Sequence, residues 1–509
     1  MEQHKDAVAR IAARARHFHE RKEPFRIYHG STNSTRPSQR RRDQLIDTSG
    51  LNHVLRVDAQ AKAALVEPNV PMDDLVEATL RQGLVPPVVM EFPGITVGGG
   101  FAGQAGESSS FRYGLFDRTV TWLEIVLPNG EVATASTTEN TELFYAVAAS
   151  FGTLGITTLL KIDLIEAKNY VELAYHPVSS MTEAVQRFED LTEDPFTEYI
   201  DGIMFSLTKG VICSGRMTDV AKPRLQRYTR AKDPWFYRQA QKHIAKANEK
   251  PVVESIPLTD YLFRYDRGCF WTGVYAFRYF VTPFNRITRW ALDYFMHTRI
   301  MYHALHKSGF AKRYMIQDVA VPYSTADDFL NYLDDSFGYY PIWLAPVRQS
   351  GQSQDTPYGG LLQQRPMSRS PDKMINFGVW GPASSNRAVF VEENRRLEDK
   401  VQELQGRKWL YAHTYYSEEK FWDMYDRKNH DALRAKFNAT HLPNVYDKVK
   451  VDVEAEEKAT RDSWIAWLLA MFWSIWPFAG LYGVYSVLGG GDYLLPREPL
   501  WARLQRMKR

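Results

Sequence analysis

The sequence predicts an α+β chain of two or three packed domains that ends in a membrane-associated helical segment. Short strand-like runs alternate with amphipathic helical runs, a glycine-crowded stretch lies near residue 100, and the 29 residues Ser463 to Gly491 contain no Asp, Glu, Lys or Arg. With 44% apolar, 24% charged and 13% aromatic residues, the 509-residue chain can bury a large core and a deep cavity; disordered, collagenous and coiled-coil classes are excluded. Lys and Arg number 63 against 60 Asp and Glu, so no basic footprint for nucleic acid is expected. Cys213 and Cys269 have no metal-ligand spacing and read as two free thiols.

Met1 to Glu23 carries charge throughout, which predicts an exposed helix and neither a signal peptide nor a span. Arg26 to Gly30 is a brief β-like run. The loop Ser31-Thr32-Asn33-Ser34-Thr35 that follows offers small hydroxyl and amide side chains able to approach a pyrophosphate. Ala63 to Glu67 reads as a strand closed by Pro68. Met72 to Gln82 reads as a helix, with Leu75, Val76 and Leu80 at helical spacing, Asp73 and Asp74 in its first turn and Gly83 as terminator.

Gly98, Gly100 and Gly103 satisfy GxGxxG, but a dinucleotide fingerprint needs a strand before it and a helix opening inside it. Pro93-Gly94 upstream and Ser108-Ser109-Ser110 downstream argue against that context. What remains is that six glycines in the 13 residues Gly94 to Gly106 let backbone pass close to something flat or anionic. Trp122 to Leu127 and Glu131 to Thr134 form a predicted hairpin about Pro128-Asn129-Gly130. Asn140 is expected to cap a helix through Ala149, and Gly152 to Ile156 leads into a strand, Thr157 to Ile165.

The ordered segments "VEPNVPMDDLVEATLRQGL", "ITVGGGFAGQAGESSSFRYGLFDRTVTWLEIVLPNGEV" and "ELFYAVAASFGTLGITTLLKIDLI" resemble the FAD-binding domain of the vanillyl-alcohol-oxidase/p-cresol-methylhydroxylase (PCMH/VAO) type. Within it, "GESSSFRYG", "LFYAV" and "GTLG" are most similar to the Diminuto-like Δ24-sterol reductases, and the resemblance runs from about residue 25 to 450. It implies an FAD held between two α/β subdomains. Gly30, Ser31, Thr32, Asn33 and Ser34 would hold the pyrophosphate. Thr96, Val97, Gly98, Gly99, Gly100, Phe101, Ala102, Gly103, Gln104, Ala105, Gly106, Glu107 and Ser108 would wrap the cofactor, and Gly152, Gly155 and Ile156 would add backbone contacts. Where many members of the superfamily carry a histidine bonded to flavin, this chain has Asn33, and His29 is expected to point away along its strand; FAD should therefore be non-covalent. The implied domains are 1–167 for FAD, 168–450 for a substrate cap and 451–509 for the membrane-associated segment and tail.

In the cap, Met181 to Leu191 reads as an amphipathic helix and Asp201 to Leu207 and Gly210 to Gly215 as strands. Pro223 to Lys250 reads as a long basic helical stretch broken at Asp233-Pro234, its charge a solvated face. "KDPWFYR", "ESIPLTDYLFRYDRGCFW", "IQDVAVP", "YYPIWLAP", "LYAHTYYSEEKFWDMYD" and "LPNVYDKV" again resemble the sterol reductases. Their aromatics fit either core packing or an apolar tunnel for a sterol-like ligand. Alkene reduction by a flavin needs a hydride and a separately delivered proton, and Asp318, Tyr411, His413 and Tyr415 are the candidate donors. Each also has a plain reading: Asp318 capping a turn, the tyrosines in the core and His413 at the surface. The animal reductases usually have an acid at the position of His413. His303 and His306 share a helix face without a third ligand, so no metal site is expected.

In the charge-free run, Trp464, Trp467, Trp473 and Trp476 suit a membrane interface, and Pro477 allows either one kinked span or two half-helices that re-enter; a buried core helix is the alternative. Arg497, Arg503, Arg506, Lys508 and Arg509 favour the cytoplasmic leaflet, and the re-entrant arrangement keeps the catalytic body cytosolic on an internal membrane such as the endoplasmic reticulum. Known sterol reductases carry an apolar anchor ahead of the flavin domain; here the apolar run follows the cap. The expected function is FAD-dependent, NADPH-driven reduction of a Δ24-type side-chain double bond of a sterol or triterpenoid, with NADPH implied by the resemblance alone. The alternatives are an FAD-linked alcohol or lactone oxidase using oxygen and a non-catalytic membrane sterol-binding protein.

Overall fold

In the computed structural model the described residues are 1–36, 41–244, 251–348, 362, 373–384, 386–454, 471–473 and 475–495. Two antiparallel sheets organise them, as expected of an α+β chain. The first orders its five strands Val54–Asp58, Ala63–Val66, Ile156–Asp163, Val120–Val126 and Val132–Ser136. The last two form the hairpin predicted about Pro128-Asn129-Gly130, where Gly130 takes φ +82° and a Cβ would sit 2.6 Å from the carbonyl of Ala12.

That carbonyl belongs to the helix Glu2–Glu20, which is not the exposed helix expected from its charge. Val8, Ile11, Ala15 and Phe18 recur at helical spacing and are buried against Ile46, Val126 and Ile156. His4 locks the helix down, lying 2.8 Å from Glu67 and 3.1 Å from Glu124. The long basic stretch Pro223 to Lys250 is also corrected: its described residues are helical only over Phe236–Ile244, and 245–250 lie outside the described set. Asn140 does not cap its helix, Thr141–Val147, with its side chain; it adopts φ +47° and its amide donates to the Thr134 carbonyl at 2.7 Å.

The second sheet orders its eight strands Val252–Pro257, Tyr170–Val178, Lys209–Thr218, Tyr199–Ser206, Ile342–Arg348, Lys373–Pro382, Tyr314–Pro322 and Arg407–Lys408. Its side-chain alternation sets the position of the site. Met315, Val319, Leu344, Phe377 and Val379 pack under the helices Met181–Glu193 and Ala326–Phe337. Ile316, Asp318, Trp343, Ala345, Asn376 and Trp380 turn the other way and line a cavity. Asp318 and Trp343 are both paired with Gly378, so a residue without a side chain separates them across the sheet. Beyond this sheet the chain packs back on the first domain: Leu442 joins the core of the N-terminal helix, and Lys436 pairs with Glu142.

Of the charge-free run, Ser463–Ala470 and Ser474 lie outside the described residues, as does the basic tail beyond Leu495. The described part contains the helix Phe478–Leu488, laid along the helix Thr298–Ser308. A Cβ on Gly480 would come within 2.3 Å of the Tyr279 ring, and one on Gly483 within 3.1 Å of the Ala304 carbonyl. Among the described residues no helix is long and apolar enough to cross a membrane.

Candidate functional site

A cavity of about 790 Å³ lies between the first domain and the cap. One wall is the glycine stretch. Contrary to the sequence expectation, a helix does open there, Val97–Gly103, with the Thr96 hydroxyl accepting from Gly99 N–H at 3.1 Å; it ends at Gln104 with φ +49°. Three consecutive glycines oppose a helix by propensity, and packing overrides it. A Cβ on Gly98 would fall 2.7 Å from Pro68, and one on Gly100 2.3 Å from Met90. A dinucleotide fingerprint stays excluded, because the adjoining sheet is antiparallel.

From this stretch Thr96, Gly98, Gly99, Gly100, Ala102, Gly103, Ala105, Gly106 and Glu107 line the cavity. Val97 and Phe101 turn into the core. Gln104 sits behind the wall, its carbonyl accepting from Trp409 Nε1 at 2.9 Å, and the Ser108 carbonyl accepts from Ile200 N–H at 2.7 Å. Ser31, Thr32, Asn33 and Ser34 border the cavity, as do Gly152, Gly155 and Ile156; Gly30 is not among the lining residues and forms the left-handed turn behind them, φ +83°. His29, expected to point away, borders the cavity as well.

Two cations that sequence reasoning missed stand beside the loop: Arg26 and Arg36, both lining the cavity. Burial lowers both guanidinium pKa values, that of Arg36 to about 10 with Arg26 adding repulsion, and neither has a carboxylate partner among the described residues. Arg36 Nε donates to the Ser34 hydroxyl at 3.1 Å, and the Asn33 amide nitrogen is buried with no hydrogen-bond partner among the described residues. Uncompensated cations and an orphaned donor on a hydroxyl-lined loop fit a pyrophosphate, so these residues suit the phosphates of FAD.

The cap contributes the aromatic wall of Phe270, Phe277, Trp343 and Trp380, and with it one carboxyl group, Asp318. Burial raises the Asp318 pKa to about 7, against the Tyr411 hydroxyl, which donates to Oδ2, and Asn376, whose amide donates to Oδ1 at 3.4 Å. Tyr411 also lines the cavity, and its carbonyl accepts from the Ser34 hydroxyl at 2.8 Å. His413 and Tyr415 are placed elsewhere. His413 is buried and pushed down to about 3 by desolvation and by neighbouring cations, Lys408 first; its ring lies 3.4 Å from the Thr35 hydroxyl. Tyr415 packs on Phe390, and its N–H donates to Glu398 at 2.9 Å.

Glu91 and Glu107 are a second feature without a sequence signal. Both border the cavity, Glu91 N–H donates to Glu107 Oε1 at 3.2 Å, and burial together with the Glu91 charge raises Glu107 well above the carboxylate range. This pair therefore presents at least one protonated carboxyl. Among the described residues no group of three or more His, Cys, Asp or Glu is placed to hold a metal. His303 Nε2 is 3.0 Å from the Ser486 hydroxyl, and His306 Nε2 is 2.9 Å from the Ser34 carbonyl. Both cysteines are free, Cys213 in the core and Cys269 at the cavity wall.

Comparison with known proteins agrees with this geometry. Residues 5–136 match the family described as FAD binding domain. The chain is 31% identical to the Delta(24)-sterol reductase of Homo sapiens over 408 residues, 78% of this chain and 76% of the human protein. It is 28% identical to that of Arabidopsis thaliana over 451 residues, 81% of this chain and 78% of the plant protein. A shorter likeness, 29% over 146 residues, joins 28% of this chain to 27% of cytokinin dehydrogenase 4 of Oryza sativa subsp. japonica.

Proposed function

The chain belongs to the Δ24-sterol reductase family and is an FAD-dependent oxidoreductase; from that premise we propose that it reduces a Δ24-type side-chain double bond of a sterol or triterpenoid with NADPH as reductant. The observation that carries the reading is Asp318: a buried carboxyl with its pKa near 7, the one carboxyl that the cap brings to the aromatic wall of the cavity among the described residues. FAD bound along the first domain would supply hydride to the more substituted alkene carbon. Asp318 holds the proton for the other carbon at Oδ1, the oxygen that Tyr411 does not bond and that the Asn376 amide reaches only at 3.4 Å. Tyr411 is a positioning residue: its hydroxyl fixes the carboxyl plane, and its carbonyl ties that plane to the pyrophosphate loop through Ser34. Phe270, Trp343 and Trp380 exclude water from this end and offer the apolar surface that a hydrocarbon side chain needs.

Among the described residues both large sheets are antiparallel, and no second nucleotide-binding crossover is present. NADPH would dock transiently at the same cavity and supply reducing equivalents to the FAD held there. Action on an internal membrane such as the endoplasmic reticulum, with the body in the cytosol, belongs to the same proposal and draws support from the charge-free run. Anaerobic mixing tests the reading: NADPH should bleach the flavin, and a Δ24-unsaturated sterol should restore its colour. Bleaching by an alcohol alone, with recovery only in oxygen, would establish the oxidase instead.

A further inference from the structure

The cap carries an apolar surface that no part of the reaction uses. Val281 is 77% exposed, Ile287 75% and Trp290 60%, with Tyr294 following on the same excursion of the chain. The helix Arg286–Ala291 that presents Ile287 and Trp290 buries none of its own residues, yet it is firmly built, with a reciprocal capping box between Asn285 and Thr288. A soluble protein seldom spends a capped helix on displaying isoleucine and tryptophan to water.

The patch continues onto the C-terminal helix. Trp476 Nε1 donates to the Tyr279 carbonyl at 2.7 Å, which sets the two segments side by side. Ile475, Trp476, Leu481, Tyr485 and Leu488 of that segment are each at least half exposed. Leu481 also lines the cavity, so the apolar face and the cavity share a wall.

The exposed charges on the 267–317 stretch have one sign, and the nearest acid on the C-terminal side, Asp492, is held by the Tyr28 hydroxyl at 2.8 Å. Between Asp266 and Asp318 the sequence has eight Lys or Arg residues and a single acid, Asp293. Asp293 is turned inward, onto Arg267 at 2.7 Å and His297 at 3.4 Å. Arg278, Arg286, Lys312 and Arg313 are exposed. Arg313 lies over the Phe310 ring, which packs on Tyr279, so the cationic rim borders the apolar centre. Aromatic and aliphatic side chains at the centre with arginines at the rim match acyl chains flanked by anionic headgroups.

We propose that this face, Val281 to Tyr294 together with the exposed side of Phe478–Leu488, docks flat on an anionic bilayer and turns the cavity wall at Leu481 towards the acyl chains. The helix Phe478–Leu488 thus lies in the interface, packed on the cap by its glycine side. The inference deepens the membrane part of the proposed function, and its test separates the two.

Full-length holoenzyme is floated with phosphatidylcholine vesicles containing or lacking phosphatidylserine, beside the double variant Ile287→Asp/Trp290→Asp and the variant Arg286→Glu. Wild type should float with both and more with phosphatidylserine; the double variant should lose roughly tenfold or more in binding, because two apolar side chains are withdrawn from the interface. Arg286→Glu should lose only the phosphatidylserine increment. Flavin absorbance, NADPH bleaching and thermal midpoint should match wild type in all variants, since neither helix residue touches the cavity. Equal flotation of wild type and the double variant overturns the docking face while membrane association survives; a wild type that does not float overturns both.

Discussion

The Tyr493 hydroxyl accepts the backbone N–H of Thr32 at 2.9 Å and returns a hydrogen bond to the Thr32 carbonyl at 3.3 Å. The segment just beyond the charge-free run is thereby tied to the loop read as the pyrophosphate site, and the stacking of Tyr493 on His303 at 4.7 Å holds the ring in place. Tyr493→Phe should raise the Kd for FAD by roughly three- to tenfold, the worth of about one net hydrogen bond. Fluorescence titration of the apoprotein checks it, and an unchanged Kd would show that the tie does not order the loop.

Arg36 makes a sharper claim on the same loop. Arg36→Met should weaken FAD by about ten- to a hundredfold, as expected for a charge-assisted contact to phosphate, and should flatten the salt dependence of binding. Titrations at two ionic strengths give both readouts; a variant that binds FAD as wild type does would remove Arg36 from the phosphate site.

Asp318 has a pKa raised to about 7 by burial, so its proton-bearing form predominates below pH 7 and is lost above. Reoxidation of the reduced flavin by an alkene should be flat at low pH and fall by roughly tenfold per unit above the midpoint. Asp318→Asn should abolish that limb and cut the step by about 10²–10⁴-fold while NADPH still bleaches the flavin. His413→Asn should leave the limb where it is, because His413 stays neutral throughout. The raised value also has a cost in stability: between the unfolded carboxylate range and about 7 the folded state holds more protons than the unfolded, so this group opposes folding increasingly as pH rises through that window. Asp318→Asn should therefore melt higher than wild type at pH 8, with the difference gone near pH 4.

Lys408 and Glu398 form a fully buried ion pair, with Lys408 also donating to the His413 carbonyl. Lys408→Met strands the carboxylate and should destabilise the cap by about 3–5 kcal/mol, whereas Lys408→Met/Glu398→Gln should recover part of that loss. Denaturant unfolding of the two variants decides it, since equal losses would mean that the charges do not act as a pair.

Sequence reasoning reached what local pattern encodes. The hairpin about Gly130 follows from turn chemistry, whereas Asp318 was singled out by the family resemblance and not by strand period; its place on the cavity wall is seen only in the folded sheet. The helix Val97–Gly103 was not legible, because its glycines oppose helix and only Pro68 and Met90 make them necessary. The N-terminal helix looked solvated because its charges occupy the unburied face, while His4 meets Glu124 across 120 positions. Arg26 and Arg36 stand in no motif and acquire meaning only as neighbours. Tyr493 was beyond reach for the same reason: its partner is 461 residues away.

The C-terminal helix has a practical corollary for anyone preparing the protein. Cutting the chain before residue 471 to gain solubility would strip away Gly480, Leu481, Gly483 and Val484 from the cavity wall and the Tyr493 clasp from the loop at Thr32. A shortened product would then come off the column pale through loss of its pigment, and its inactivity would be misread as a wrong assignment of chemistry. Recolouring the outward side chains Ile475, Tyr485 and Leu488 with polar residues keeps the inner side intact and is the better route to a well-behaved sample.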